Sequence, residues 1–369
     1  MLYAGDADNG SVAMTDNTTS PDGDGDRAQS DLVLLLTTSG QMLGVTSVVL
    51  NVIFLSAMRF VDDSSTAYHR LMQNLALADI MASLFFLITQ SWPHGLFGSI
   101  NPNEDFLLVA GLPYVFRGTP WVFFTGYLLT LSLLSVNQYV GVCKPWRYSQ
   151  LVTRRAVGGC LLVLWLVSSL QIAVPFAVLL VLRGLDDKTM AKHTLYDVSA
   201  IEMQVWMVVF AASTIVNIVL NMFVHQKIRT LKLRRRHTRG APNPESLNIR
   251  MKQEAFVTVS LLLVASLFCR LPFPLVGIIV INMEGRRQHA RDLHIINAVV
   301  VFLLYVNFFA DPIIYLSRIR DTRNSYKALF RKARACLACC TGGAFEAHPD
   351  GVVMNLVSPH ESTSQSTRI

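Results

Sequence analysis

Residues 156–182 read AVGGCLLVLWLVSSLQIAVPFAVLLVL, with no charged side chain. A helix crosses a bilayer with about 20 mostly apolar residues, so this stretch is long enough to span one. Six others meet the same test on either side of it: 32–60, 68–91, 106–140, 200–226, 255–282 and 293–317. The second and third of the seven are less uniformly apolar, which suits helices that face protein more than lipid. A soluble protein would have to bury seven such helices with almost no charged outer face. The chain is 52% hydrophobic and 15% charged, whereas a soluble domain carries roughly 25% charged residues. The expected fold is an all-α membrane protein, a seven-transmembrane helix bundle.

Orientation follows from Lys and Arg in the connections. The N-terminal tail and the second, fourth and sixth loops hold Arg27, Arg183, Lys188, Lys192, Arg286, Arg287 and Arg291. The other loops and the segment after the last span hold about three times as many, including the run Lys232-Leu233-Arg234-Arg235-Arg236. This bias places the N-terminus outside the cell and the C-terminus in the cytoplasm, as expected of a plasma-membrane protein. It also disperses the net charge of +7 over several loops, which excludes the single basic face that nucleic acid requires. The opening MLYAGDADNG lacks the basic and apolar regions of a secretory signal, so the first span is expected to direct its own insertion.

Four regions are expected. Residues 1–31, with seven Asp and one Arg, form a disordered extracellular tail. That tail holds two glycosylation sequons, at Asn9 and Asn17. Residues 32–317 form the bundle. Residues 318–335 put Ile319, Tyr326, Leu329 and Phe330 on one helical face and bases on the other, the pattern of a short amphipathic eighth helix on the inner leaflet. Cys336, Cys339 and Cys340 follow beside the membrane, where palmitate would add a second anchor. Residues 336–369 form a disordered cytoplasmic tail. On this topology none of the six cysteines is extracellular, which rules out an external disulfide framework.

Special residues inside the spans carry a resemblance. Span one holds Asn51, and span two holds Asn74-Leu75-Ala76-Leu77-Ala78-Asp79. Span three ends Asn137-Gln138-Tyr139 and leads to Lys144-Pro145-Trp146-Arg147-Tyr148. Span four has Trp165 and Pro175, span six Cys269-Arg270-Leu271-Pro272, and span seven Asp311-Pro312-Ile313-Ile314-Tyr315. In this order they resemble the motifs of the rhodopsin-like (class A) G-protein-coupled receptors over about residues 32–335. The resemblance implies a receptor that passes an extracellular signal to heterotrimeric G proteins or arrestin by outward movement of span six. It makes Asn137, Gln138, Tyr139, Lys252 and Tyr315 the transducer-coupling positions. It makes Asn51, Asp79, Asn307, Asp311, Pro312, Arg270 and Pro272 the activation core, in which the two prolines kink their helices.

The departures bear on mechanism. In the family an Asp-Arg pair stands where this chain has Asn137-Gln138, and the acid expected at the start of span six aligns with Lys252. Both halves of the inactive-state ion pair are gone together, which implies weaker restraint of the inactive state and altered G-protein engagement. The alternative expectation is a non-signalling decoy or scaffold with a receptor fold. In the family the counterpart of Asp79 lines a sodium pocket, but here Tyr127 takes the place of the usual small hydroxyl residue and would fill the ion's space. Arg270 replaces a family tryptophan at mid-bilayer, where a guanidinium costs about 2.5–3.5 kcal/mol on insertion scales. It serves either as counter-charge to a ligand or as a structural partner of Asp79, Asp311 or backbone.

Pro120 stands where amine receptors of the family carry an Asp, and span seven has no Lys to hold retinal. The missing external cysteine pair and the missing span-five proline resemble the melanocortin, lysophospholipid and cannabinoid receptor group. Phe116, Arg117, Pro120, Trp121 and Phe124 are the candidate pocket wall; with Arg270 they would suit an anionic lipid or other amphiphile. In the tail, Ser358, Ser362, Thr363, Ser364, Ser366 and Thr367 form a candidate arrestin-read phosphorylation cluster. Thr367-Arg368-Ile369 fits the carboxylate motif that a PDZ domain binds as an added strand. No metal-ligand spacing, phosphate loop or nucleophile motif occurs, so neither a cofactor nor an enzyme is expected.

Overall fold

Among the described residues of the computed structural model, seven helices are long and apolar enough to cross a membrane. The structure describes residues 23–59, 66–91, 112–182, 188–237, 244–276, 290–318 and 320–340. The sequons at Asn9 and Asn17, the tail cluster and the terminal Thr367–Ile369 lie outside these residues. All regular structure among the described residues is helical. The helices are α1 Gly23–Met58, α2 Thr66–Ser91, α3 Leu112–Cys143, α4 Pro145–Leu151, α5 Arg154–Leu182, α6 Lys188–His237, α7 Pro244–Arg270, α8 Ala290–Arg318 and α9 Arg320–Cys340. After α7 the chain turns at Leu271 and is helical again over 272–276.

Spans one to seven lie on α1, α2, α3, α5, α6, α7 with 272–276, and α8. Several helices outrun the apolar stretches. α1 begins at Gly23 rather than 32, α6 runs to His237 rather than 226, and α9 carries helix through Cys340. Residues 23–31 and 336–340, expected to be disordered, are therefore helical. Once a span has nucleated a helix, each further residue costs little. The extension of α6 is also rich in Leu, Lys and Arg, which are good helix formers.

Helix α3 is the hub, packing on α2, α5, α6 and α7, while α1 packs on α2 and α8. Spans two and three are accordingly 61% buried within the protein, against 22% for span four and 17% for span five. Polar side chains of spans two and three, such as Asn74 and Thr130, can be satisfied there and not in lipid. One chain of hydrogen bonds joins three helices. Trp165 Nε1 donates to Asn74 Oδ1 (3.0 Å), Asn74 Nδ2 to Thr130 Oγ1 (2.7 Å), and Thr130 Oγ1 to the Gly126 carbonyl (2.6 Å). A second set links α3 to α6, with Asn217 Nδ2 donating to Ser132 Oγ at 3.1 Å and Asn221 Nδ2 to Ser135 Oγ at 3.4 Å.

Gly40 and Gly44 of α1 form a cradle for the ring of Tyr305 on α8. A methyl group at Gly44 would sit 2.6 Å from Tyr305 Cε1, and one at Gly40 would sit 2.9 Å from Cδ2. Because Tyr305 is only 2% exposed, the ring has little room to retreat. Gly44→Ala is expected to cost about 1–3 kcal/mol, the usual penalty of overpacking. Adding Tyr305→Leu should recover part of that loss. Thermal unfolding of the purified single and double variants checks both statements.

Candidate functional site

Asp79 lies within α2 and Asp311 within α8, and both are fully buried. Between them lies Arg270, in the last turn of α7 and also fully buried. Its Nη2 is 2.9 Å from Asp79 Oδ1 and 3.7 Å from Asp311 Oδ2. The guanidinium carbon stands 3.4 Å from the ring centre of Tyr127, 5.1 Å from Phe124 and 5.2 Å from Phe308. Nη1 and Nε take no hydrogen bond among the described residues, but the ring faces cover the cation and contribute attraction of their own. Asn307 Nδ2 donates to Asp311 Oδ2 at 3.0 Å, fixing that carboxylate from the next turn of its own helix.

Of the two readings open for Arg270, the geometry places it with the acids. A guanidinium removed from water needs opposite charge close by, and Asp79 and Asp311 supply it. The sodium pocket implied by the resemblance does not fit these residues. The Asp79 oxygen that faces the site is hydrogen-bonded to Nη2, and Tyr127 closes on the other side. The cation at Asp79 is the protein's own side chain.

Span seven carries a repair that the sequence pattern did not reveal. Pro312 lacks an N–H, which deprives the Phe308 carbonyl of its helical donor. Ser47 of α1 fills the gap, its Oγ donating to the Phe308 carbonyl at 2.7 Å. Asn51 is one turn further along, with Nδ2 3.1 Å from the Ser47 carbonyl and 3.2 Å from its Oγ. Asn51 and Pro312 are thus joined through a serine on no motif list. A small hydroxyl four residues before Asn51 was the available signal.

Of the expected coupling residues, Asn137, Gln138 and Tyr139 near the end of α3 meet α4, α7 and α6. Gln138 is nearly buried, and its Nε2 donates to the Ala255 carbonyl of α7 at 2.6 Å. A neutral hydrogen bond therefore ties span three to span six where the ion pair was lost. One neutral hydrogen bond to a backbone carbonyl is a lighter tie than an ion pair, in keeping with the expectation of a weaker restraint. Asn137 Oδ1 accepts from the Tyr148 hydroxyl of α4 at 3.2 Å. Burial pushes the Tyr148 hydroxyl pKa up, which keeps its proton available for that bond. Tyr139 faces Phe223 of α6 with ring centres 6.3 Å apart. Tyr315 is fully buried, its ring 4.9 Å from Phe54 of α1. Lys252 is in α7, but its side chain lies outside the description.

Toward the other end, Trp121 and Phe124 contact aromatic rings. Trp121 lies 4.3 Å from Phe273, 5.4 Å from Phe86 and 5.6 Å from Phe124, centre to centre. Phe273 directly follows Pro272, so this contact bears on the segment just beyond the break in span six. Pro120 is buried in α3. The side chains of Phe116 and Arg117 lie outside the description, as do those of Cys339 and Cys340. Cys336 is exposed near the end of α9.

Comparison with known proteins agrees with this architecture. The chain matches the family described as 7 transmembrane receptor (rhodopsin family) over residues 50–315. It is 23% identical to the human histamine H2 receptor over 80% of this chain and 77% of that receptor. The dog histamine H2 receptor is also 23% identical, over 70% of this chain and 68% of that receptor. A shorter match to the human motilin receptor is 37% identical over 20% of this chain and 22% of that receptor.

Proposed function

This chain belongs to the rhodopsin family of seven-transmembrane receptors, and from that premise we propose that extracellular ligand binding moves its sixth span away from two internal anchors. It is a receptor rather than an enzyme and a multi-pass membrane protein. The proposed orientation puts the N-terminus outside and the end bearing Gln138 in the cytoplasm, supported by the Lys and Arg bias of the loops. The observation that carries the reading is the 2.9 Å bond from Arg270 to Asp79. It ties span six to span two, so any outward swing must break or carry that pair. The Gln138 bond to Ala255 is the second anchor, at the face where a G protein would enter.

Asn51, Asn307, Asp311, Pro312 and the break in span six at Pro272 form the activation core around the first anchor. Asn137, Gln138, Tyr139, Lys252 and Tyr315 are the proposed transducer-facing set. The histamine of the relatives' names is not carried over, because Pro120 stands where the resemblance places the amine-binding acid. An acidic amphiphile is the proposed ligand class, with Arg117 as its counter-charge, since Arg270 is already committed to Asp79.

The test is basal and serum-stimulated G-protein dissociation in cells, across G-protein subtypes, for wild type and Asn137→Asp/Gln138→Arg. The expected result is stimulated dissociation in the wild type at equal surface expression. Silence in the wild type with activity in the double variant would overturn coupling. It would leave a receptor fold kept for binding or scaffolding.

A further inference from the structure

A groove of about 460 Å³ runs between α6 and α7 on the outside of the bundle. On α6 its wall is the stripe Ile218, Met222, His225 and Arg229, whose spacing keeps one helical face aligned. On α7 the facing wall is Leu263, Val264 and Leu267. Met222 is 58% and Val264 49% exposed, so in a membrane both face lipid. The groove is apolar along most of its length and basic at one end. Its polar rung is already satisfied, since Ser260 Oγ donates to Asn221 Oδ1 at 3.4 Å. Asn221 Nδ2 in turn donates to the Asn217 carbonyl at 2.8 Å. No acid lines the groove among the described residues. At the basic end Arg229, His225 and Gln226 are exposed, and the His225 ring leans on Phe256 with centres 5.9 Å apart.

We propose that this groove is a binding site for an anionic phospholipid of the cytoplasmic leaflet. An acyl chain lies along Met222, Val264 and Leu267, and the headgroup meets Arg229 and His225. The occupant follows from position and charge. The slot opens to the bilayer, where the molecules present are lipids, and its only charged end is positive. The assignment to a leaflet rests on the orientation proposed above. Because the two walls are spans five and six, a chain wedged between them acts on the same motion that the Arg270 and Gln138 anchors restrain.

The experiment is native mass spectrometry of the purified full-length receptor titrated with phosphatidylserine or phosphatidylcholine of identical chains. Phosphatidylserine is expected to be retained about fivefold better, the worth of one basic side chain at an anionic headgroup. Arg229→Gln should remove that preference. Val264→Trp should reduce retention of both lipids by filling the slot. Lys227→Gln, on the Cys143 side of α6, should leave the preference unchanged. A monodisperse elution profile for each variant confirms that it is folded. Equal retention of the two lipids by wild type would overturn the proposal, and so would a loss in Lys227→Gln matching that in Arg229→Gln, which would mean diffuse attraction. Accessibility of a C-terminal epitope in intact cells reports orientation separately. A reversed topology would leave lipid binding by the purified protein intact and refute only the leaflet.

Discussion

Arg270→Ala is expected to unfold much of the receptor population or hold it back from the cell surface. The substitution removes the only cation within reach of Asp79 and Asp311 among the described residues, leaving two fully buried carboxylates facing each other. Breaking a buried pair from one side typically costs about 3–5 kcal/mol, because the charge left behind has lost both water and partner. A protein with 5–15 kcal/mol of stability cannot absorb that easily, by order of magnitude. The comparison that isolates the electrostatic part is Arg270→Ala with Asp79→Asn and Asp311→Asn. With the acids neutral, that variant should regain a large share of the lost thermal stability, although it still lacks the packing of the guanidinium on Tyr127. If the single and triple variants melted together and well below wild type, Arg270 would matter for its volume and not for its charge.

The second large effect is expected at Gln138. Its amide donates to a carbonyl of span six, and a net hydrogen bond is worth about 0.5–1.5 kcal/mol. Removing it in Gln138→Ala should raise the ratio of open to closed span six about fivefold, the equivalent of about 1 kcal/mol. Gln138→Glu should go further, because it sets an acceptor against an acceptor. Spin labels on α4 and on the first turns of α7, read as a distance distribution, measure this without depending on any transducer. An unchanged distribution in both variants would mean that the bond to Ala255 does not hold the closed form.

The count and order of the spans were legible because a bilayer imposes one strong rule on composition. The burial of spans two and three was legible too, since polar residues such as Asn74 and Asp79 have no place in lipid. The positions of the helix ends were not, because extension into water is governed by small propensities with no sharp signal at 23 or 237. At the site, the residues were legible singly and their pairing only as one of two open readings. Asp79, Arg270 and Asp311 each stood out as a charge inside an apolar stretch, but which charge meets which depends on how α2, α7 and α8 rotate against one another. Ser47 and Tyr305 escaped notice for the opposite reason. Each is an ordinary residue in its own helix, made important only by Pro312 and by the glycines of α1.

Gln138 shows what an absence can hide. Losing a motif's arginine and its acid reads as losing an ion pair, and what stands in its place is a neutral donor on a backbone carbonyl. The two anchors tie span six to span two inside the bundle and to span three at the end bearing Gln138.

The claim that Arg270 is the resident cation of this core is tested most directly by thermal unfolding of wild type and Arg270→Ala in sodium chloride and in choline chloride at equal ionic strength. The account predicts the same midpoint for wild type in both salts. It predicts that sodium stabilises Arg270→Ala, by about 1.4 kcal/mol at ten times its dissociation constant, since the removed guanidinium leaves room and charge for an ion. A wild-type midpoint that rises with sodium would contradict it, as would an Arg270→Ala receptor as stable as wild type in choline.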